Sequence, residues 1–421
     1  MKYVIIGNSA AGIGAVEGIR QIDKQGDITI ITNEPHHTYS RPLISYLLLG
    51  KVTRETMKYR GDDFYADNNC ILLVNSTVTR ILPTEKQVVL SDGKAILYDK
   101  LLVAAGSTAF VPPFEGLDTV ENQFTFMCLD DAEKLDAALG KEKKVLIIGA
   151  GLIGLKCAEG ILDRAAHVTV VDMAPRVLPS VLNDDAASRV QVHLESKGIE
   201  FMLSGGVKSF NKNTAVLANG AEVCFDILVL AVGVRPNTSL LMDIAEIDKG
   251  IVINARSETT APDIYAAGDC TQTLDVSCGQ NKIMALLPNA YMQGECAGHN
   301  MANNRNMTCN HDTAGGERVF DKVIPMNAVG FFGLHIVTAG SYNGDTYIQN
   351  NCDGYKCLFY SNNRLNGYIL IGNVEKAGIY TSLIREGTPL DSIDFELICE
   401  KPGLMAFSKT DRSAKLGGRV K

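Results

Sequence analysis

Two stretches of this chain read strand, glycine turn, helix, and they restrict the fold more than any other feature. The first is KYVIIGNSAAGIGAVEGI, Lys2 to Ile19. Lys2 to Ile6 predicts a short apolar strand, Gly7 a tight turn, and the helical pattern begins around Ala11. The turn runs Gly7, Ser9, Ala10, Ala11, Gly12, with Ser9 where the dinucleotide motif usually has its second glycine. Gly7 permits the turn, the small Ser9 lets a pyrophosphate approach the backbone, and Gly12 lets helix and strand pack closely. The second stretch, KKVLIIGAGLIGLKCAEGI, holds an unbroken G-x-G-x-x-G at Gly149, Gly151 and Gly154, with Leu152 and Ile153 between the last two. In both, the helix start offers unpaired N–H groups to phosphates.

Each unit continues into a strand that ends near an acid. DITIIT runs to Asn33-Glu34, about where a carboxylate reaches ribose hydroxyls. HVTVVD ends at Asp172, eighteen residues past Gly154. A carboxylate there accepts hydrogen bonds from a ribose 2′-OH and repels a 2′-phosphate, which favours NADH over NADPH. Arg176 moderates that preference. Three more apolar strands end in small residues: DKLLVAAGSTAFVPP at Ala105-Gly106, DILVLAVGVRPN at Gly233, and TTAPDIYAAGDC at Gly268-Asp269.

Composition removes other classes. With 421 residues, 46% hydrophobic and 21% charged, the chain has enough apolar content for two or three domains. A net charge of −8 argues against a nucleic-acid binder. The N-terminal apolar run is broken by Gly7-Asn8-Ser9, unlike an export signal, and no run approaches the ~18 residues of a membrane span. Eleven scattered cysteines form no CxxC and complete no metal site, so a reducing cytoplasm and no bound metal are expected.

The motifs GNSAAG, AAGS, GAGLIG, GVRPN and YAAGDC stand in the order and spacing of the pyridine nucleotide–disulfide oxidoreductases, the flavoproteins with two dinucleotide domains, which the chain resembles over residues 1 to about 310. The resemblance implies an α/β fold of two Rossmann-like domains, one inserted in the other, plus a small α+β C-terminal domain. FAD would occupy 1–113 and 251–315, the nicotinamide nucleotide 114–250, and the interface domain 316–421. By that resemblance Glu34 holds the adenosine ribose of FAD and Asp269 its ribitol. Gly106 lies in the flavin-side turn, Asp172 binds the ribose of NADH, and Gly233 closes the nicotinamide side. Pro288 and Asn289 open a helix, running to about Ala302, whose N-terminus is aimed at the flavin.

Many relatives carry a redox cysteine just after the first acid. Here TYSRPLISYLLLG has Ser40-Arg41 at that place. Arginine carries no electrons, so disulfide-reductase and cysteine-peroxidase chemistry is not expected. The stretch is similar instead to the Y-x-R-P segment of rubredoxin, nitrite and dioxygenase-type ferredoxin reductases, with Arg41 and Pro42 beside the flavin. Read from its residues alone, Pro42 starts a helix with Leu43, Tyr46, Leu47 and Gly50 as its apolar face. A second departure is Lys156, where relatives have a glutamate whose lysine partner corresponds here to about Tyr46. The expectation is that the positive charge has crossed the site, with Lys156 and Tyr46 catalytic near flavin N5. The alternative is a solvated helix lysine with Glu159 or Glu17 as partner. His36 and His37 read as surface residues.

From about 316, strand patterns joined by Asn/Gly turns and the helix KAGIYTSLIREG resemble the family's C-terminal domain, which forms a homodimer contact in some branches. After Glu400 six lysines and arginines face one acid, Asp411, either a loose tail or a steering surface for an acidic partner. The expected function is transfer of hydride from NADH to FAD and of electrons to rubredoxin, ferredoxin or another iron–sulfur centre. The alternatives are an electron-transfer subunit of a larger complex and an NADH oxidase.

Overall fold

In the computed structural model, which describes residues 1–303, 316–352, 354–408, 410 and 412, both glycine turns obey the same geometry. Each opens a five-stranded, wholly parallel sheet. The first sheet runs Ile264–Ala266, Lys100–Val103, Lys2–Ile6, Asp27–Ile31, Cys70–Leu73. The second runs Ile199–Met202, His167–Val171, Lys144–Ile148, Ile227–Leu230, Gln123–Phe124. Strands such as Lys2–Ile6 and Lys144–Ile148 are apolar and buried along their length, as sheets covered on both faces require.

The likeness extends to the connections. Each half inserts a three-stranded antiparallel meander before a later parallel strand, Val78–Leu82, Gln87–Leu90 and Ala95–Leu97 before Lys100–Val103, and Val207–Asn211, Thr214–Leu217 and Glu222–Cys224 before Ile227–Leu230. The segments leaving those two strands then pair with each other. Ser107–Ala109 and Val234–Pro236 form a two-stranded antiparallel ribbon. The chain thus enters and leaves the inserted half through adjacent strands.

By its contacts the chain forms two units, Met1–Val177 with Gly198–Thr273 and Asn281–Asp321, and Leu178–Lys197 with Leu274–Gln280 and Lys322–Lys421. The second unit holds a five-stranded antiparallel sheet, ordered Met326–Phe331, Leu334–Gly340, Arg364–Gly372, Gly354–Ser361, Asp345–Asn351. The helix Ala377–Glu386 packs its Tyr380, Leu383 and Ile384 into that unit's core. The helix Asp184–Glu195 falls in this unit too, although its neighbours in sequence are strands of the other. Of the basic tail, Lys409 and residues 413–421 lie outside the described residues.

In the first unit, the nucleotide helix Ala10–Ile22 lies against the helix Leu287–Ala302 with backbones almost touching. A Cβ on Gly14 would stand 2.3 Å from Tyr291 O and one on Gly18 2.2 Å from Glu295 O. In the other direction, Gly294 meets Ala11 O at 2.0 Å and Gly298 meets Ala15 O at 2.1 Å. No side chain fits at these four positions. Gly294→Val, with no room in either backbone, is expected to cost at least the ~1–3 kcal/mol typical of overpacking, seen as a lower Tm and loss of bound FAD. Gly378→Ala, on an exposed helical position with open space around it, should leave Tm unchanged or raise it.

Candidate functional site

The two glycine turns can be compared atom by atom. Gly7 has φ +117° and Gly149 φ +115°, conformations that favour glycine. A Cβ on Gly7 would lie 2.1 Å from Ala104 O, and one on Gly149 2.3 Å from Ala231 O. Gly12 and Gly154 come as close to the carbonyls of Gly7 and Gly149, at 2.1 and 2.0 Å. Gly151, by contrast, has nothing within 4 Å, so the space above the second turn is open. Ser9 and Gly151 are the N-caps of their helices, and Leu286 that of the helix carrying Pro288 and the buried Asn289; none has a side-chain capping hydrogen bond. Ala10 and Ala11 are buried in the first turn of one helix, while Leu152 and Ile153 are half-buried in the first turn of the other. Three uncapped N-termini leave their N–H donors for anions.

The acids differ between the halves. Asp172 directly follows its strand, and its carboxylate accepts the Ala150 N–H at 2.6 Å and the Ala174 N–H at 2.7 Å. It is thereby fixed beside the open turn. In the first half Thr32 occupies the corresponding place, and Glu34 stands two residues on. Its carboxylate takes the Arg41 guanidinium and a 2.7 Å hydrogen bond from the Tyr39 hydroxyl. Tyr39 also accepts the Leu129 N–H at 3.0 Å, and Arg41 donates to Met127 O at 3.3 Å. Burial pushes the Tyr39 phenol far above its ordinary value, so it remains a neutral donor.

A cleft with about 250 Å³ of empty volume is lined by Asn8, Ser9, Thr32, Glu34, His36, His37, Tyr39 and Arg41. His36 and His37 are therefore not surface residues. Nε2 of His36 lies 2.5 Å from Asp130 Oδ1, and the His37 ring packs edge-on against Tyr65 at 4.9 Å. Tyr65 in turn donates to Asn8 Oδ1 at 2.8 Å and accepts the Thr38 N–H at 3.2 Å. His37 Nε2 and Thr38 Oγ1 are buried without a hydrogen-bond partner among the described residues. Buried polar atoms of this kind ordinarily have partners. Together with the uncapped helix start at Ser9 on the same cleft, they fit the phosphates and sugar of a dinucleotide. Nothing in the run EPHHTY marked these residues beforehand, because their role comes from the fold-back of 34–41 onto the glycine turn.

Beyond the strand Ile264–Ala266, Gly268 (φ +84°) places its Cα so that a Cβ would be 3.2 Å from Ala11 Cβ and 3.6 Å from Ala290 Cβ. Its N–H donates to the buried Gln293 side chain at 2.6 Å. Three stretches distant in sequence thus meet at one point. Asp269 accepts from Ser107 Oγ at 3.3 Å; burial raises its carboxyl pKa, opposed by Ser107 and the positive charge of Arg41. Ala105 O and Gly106 O accept from the Asn237 side chain at 2.8 Å and its N–H at 3.0 Å. Gly106 (φ +65°) and Gly233 (φ +119°) both have open space around them.

Arg41, Pro42 and Leu43 form a 3-10 turn that runs into the helix Ile44–Leu48. The buried residues there are Ile44, Ser45 and Leu48. This corrects the apolar face read from the sequence: Leu43, Tyr46 and Leu47 are only half-buried and Gly50 is exposed. The short helix crosses the second nucleotide helix, Leu152–Ile161, where a Cβ on Gly160 would lie 3.0 Å from Ser45 O. Across that crossing the Lys156 ammonium stands 4.4 Å from the centre of the Tyr46 ring and pairs with the Glu159 carboxylate. Lys156 is not solvated, since its side chain is 15% exposed. Glu17 is not its partner; it takes Arg60 at 2.7 Å and the Tyr291 hydroxyl.

No nearby thiol replaces the missing redox cysteine in ionised form. Burial pushes Cys128, beside Arg41, up to about 11, Cys270, after Asp269, to about 12, and Cys157, after Lys156, higher still. Among the described residues no group of His, Cys, Asp and Glu could hold a metal ion, and no helix is long and apolar enough to cross a membrane.

The family model for pyridine nucleotide-disulphide oxidoreductases matches residues 1–294. The chain belongs to that family. It is an oxidoreductase built for FAD and a nicotinamide nucleotide. It is 30% identical over 401 residues to the epsilon subunit of the NADH-dependent phenylglyoxylate dehydrogenase of Aromatoleum evansii, covering 92% of each chain. It is 34% identical over 312 residues to the ferredoxin–NAD(+) reductase component of a 3-phenylpropionate/cinnamic acid dioxygenase from Photorhabdus laumondii, covering 71% of this chain and 77% of that one. The fold is that of putidaredoxin reductase in its covalent complex with putidaredoxin, with TM-score 0.85 and 23% identity over 95% of this chain and 96% of the other.

Tyr39→Phe removes the hydroxyl that joins Glu34 to the buried Leu129 N–H. An unpartnered buried N–H costs about 1–3 kcal/mol. A lower Tm and faster loss of FAD on dialysis are the expected results, with the far-UV spectrum unchanged.

Proposed function

We propose that this oxidoreductase takes hydride from NADH and delivers electrons through FAD to a redox protein of the rubredoxin, ferredoxin or other iron–sulfur type. The observation that carries this reading is the crossing of the helix Ile44–Leu48 with the second glycine-turn helix Leu152–Ile161, with Arg41 rather than a thiol in the turn that leads into it. FAD, when bound here, would supply the two-electron chemistry that links hydride donation by NADH, oxidised to NAD+, to reduction of the acceptor.

The residues bind and orient. In this reading residues 1–113 and 251–315 hold FAD, and 114–250 hold NADH. Glu34, Arg41, His37 and Thr38 hold the adenosine and pyrophosphate of FAD, and Asp269 its ribitol. The N-terminus of the Pro288 helix places a dipole worth about 0.3–2 kcal/mol toward negative charge on the reduced flavin. Asp172 holds the ribose of NADH, and the Lys156 ammonium sets a positive charge beside Tyr46 between the two sites. None of the thiols described beside the site is ionised enough to intervene. No disulfide joins the described cysteines, which suits a reducing cytoplasm. A homodimer through the C-terminal unit belongs to the same reading.

A second reading is favoured by the similarity over 92% of both chains to a subunit of a larger dehydrogenase. In it the acceptor is an iron–sulfur subunit of the same complex. Anaerobic reduction with one equivalent of NADH, followed by oxidised rubredoxin or ferredoxin, separates the two. Fast reduction and fast reoxidation support the free-standing reductase, whereas fast reduction and a stalled flavin support the subunit. Reoxidation by oxygen alone, faster than by either protein, supports an NADH oxidase instead. Asp172→Asn is expected to raise KM for NADH roughly tenfold, the loss of a charged hydrogen bond of about 1.5 kcal/mol. KM for NADPH should change less, because the repulsion of a 2′-phosphate goes with the charge.

A further inference from the structure

Glu159 is an acid in the wrong place for stability. It lies in the last turn of the helix Leu152–Ile161, 4% exposed, between Ala158 and a glycine packed against Ser45 O. Its carboxylate holds the Lys156 ammonium one turn back in the same helix. The same ammonium stands 4.4 Å from the centre of the Tyr46 ring, a favourable position for a cation over an aromatic face. Taking both charges out of water costs several kcal/mol per ion, and apolar residues of equal volume in such a place are often as stable or more so. A buried ion pair that adds little to the fold calls for another explanation.

Its position supplies one. Lys156 lies one helical turn in from Leu152, where the open glycine turn of the second half hands over to its helix. Tyr46 lies little more than one turn in from Arg41, which lines the cleft of the first half. The contact between them therefore spans the seam between the two nucleotide sites. Left to itself a lysine ammonium on a four-carbon stem samples many rotamers. Here the carboxylate and the ring hold it from two sides.

We propose that Glu159 is a positioning residue for Lys156: it fixes the ammonium against Tyr46 at the seam and keeps the counter-charge within the same helix. This rests on the functional reading above, in which electrons cross that seam. Because the counter-charge is in the helix that carries the lysine, the pair moves as one body with the second nucleotide turn.

The test uses the FAD-loaded enzyme and four forms: wild type, Glu159→Gln, Lys156→Met, and both together. The double variant carries no buried charge, so it guards against a single variant that fails to fold. Three quantities are measured: Tm, the flavin midpoint potential, and the rate of anaerobic flavin bleaching by NADH. The double variant is expected to have a Tm equal to or above wild type and to bleach at least tenfold more slowly. Glu159→Gln is expected to bleach about tenfold more slowly and to raise the midpoint potential, because the ammonium loses its counter-charge; Lys156→Met should lower it. The rate losses of the two single variants should not multiply in the double. A Glu159→Gln enzyme with wild-type potential and rate overturns the proposal. So do single losses that multiply, which would mean Glu159 acts apart from Lys156. Wild-type flavin that NADH does not bleach overturns the functional reading itself, whereas wild-type bleaching matched by every variant overturns only the role of the pair.

Discussion

The close approach of the helices Ala10–Ile22 and Leu287–Ala302 governs everything else in the first unit. Gly14, Gly18, Gly294 and Gly298 let the two backbones touch, and that contact lays two helix starts side by side. Ala11 and Ala290 then both reach Gly268, which sets the direction in which Asp269 leaves its turn. A spacing wider by one methyl group would separate these stretches. The nucleotide site of this half is thus defined by the absence of side chains, and the polar residues around it are placed by that absence.

The second half repeats the turn but not the surroundings. Asp172 is pinned by two backbone N–H groups and stands ready beside an open glycine turn. Glu34 is engaged by Arg41 and Tyr39, which reach on to Met127 and Leu129, where the chain enters the helix Leu129–Ala138. One site is preformed, its acid held only by backbone N–H groups among the hydrogen bonds described. In the other the acid belongs to a network that a ligand must enter. The difference suits a nucleotide that comes and goes with each turnover and another that stays.

What the sequence disclosed and what it withheld divide along a physical line. The glycine turns, the strands Lys2–Ile6 and Ile227–Leu230 and the helix to Ala302 follow from local rules, since apolar runs and glycine spacing act within a few residues. The inward face of Ile44–Leu48 did not, because five residues give no period to measure and the crossing at Gly160 chooses the face. Partner choice was equally hidden. Glu17 and Glu159 look alike in the sequence, yet one is claimed by Arg60 from far along the chain and the other is buried with Lys156. His36 and His37 enter the cleft only because the segment after Asn33 folds back.

The ribbon of Ser107–Ala109 with Val234–Pro236 has a consequence for the order of assembly. The inserted half begins and ends at neighbouring points, so all its parallel strands are complete once the chain has reached Leu230. The surrounding half cannot close until Ile264–Ala266 has joined Lys100–Val103 and the glycines up to Gly298 have met the first helix. These pairings join Ile264 to Leu101 and Gly298 to Ala15, and contacts of such separation form late. During synthesis, therefore, the inserted half is finished while its host is still an open sheet. In the proposed assignment the flavin is captured only at the last step, when the C-terminal portion of the host returns to the residues that were made first.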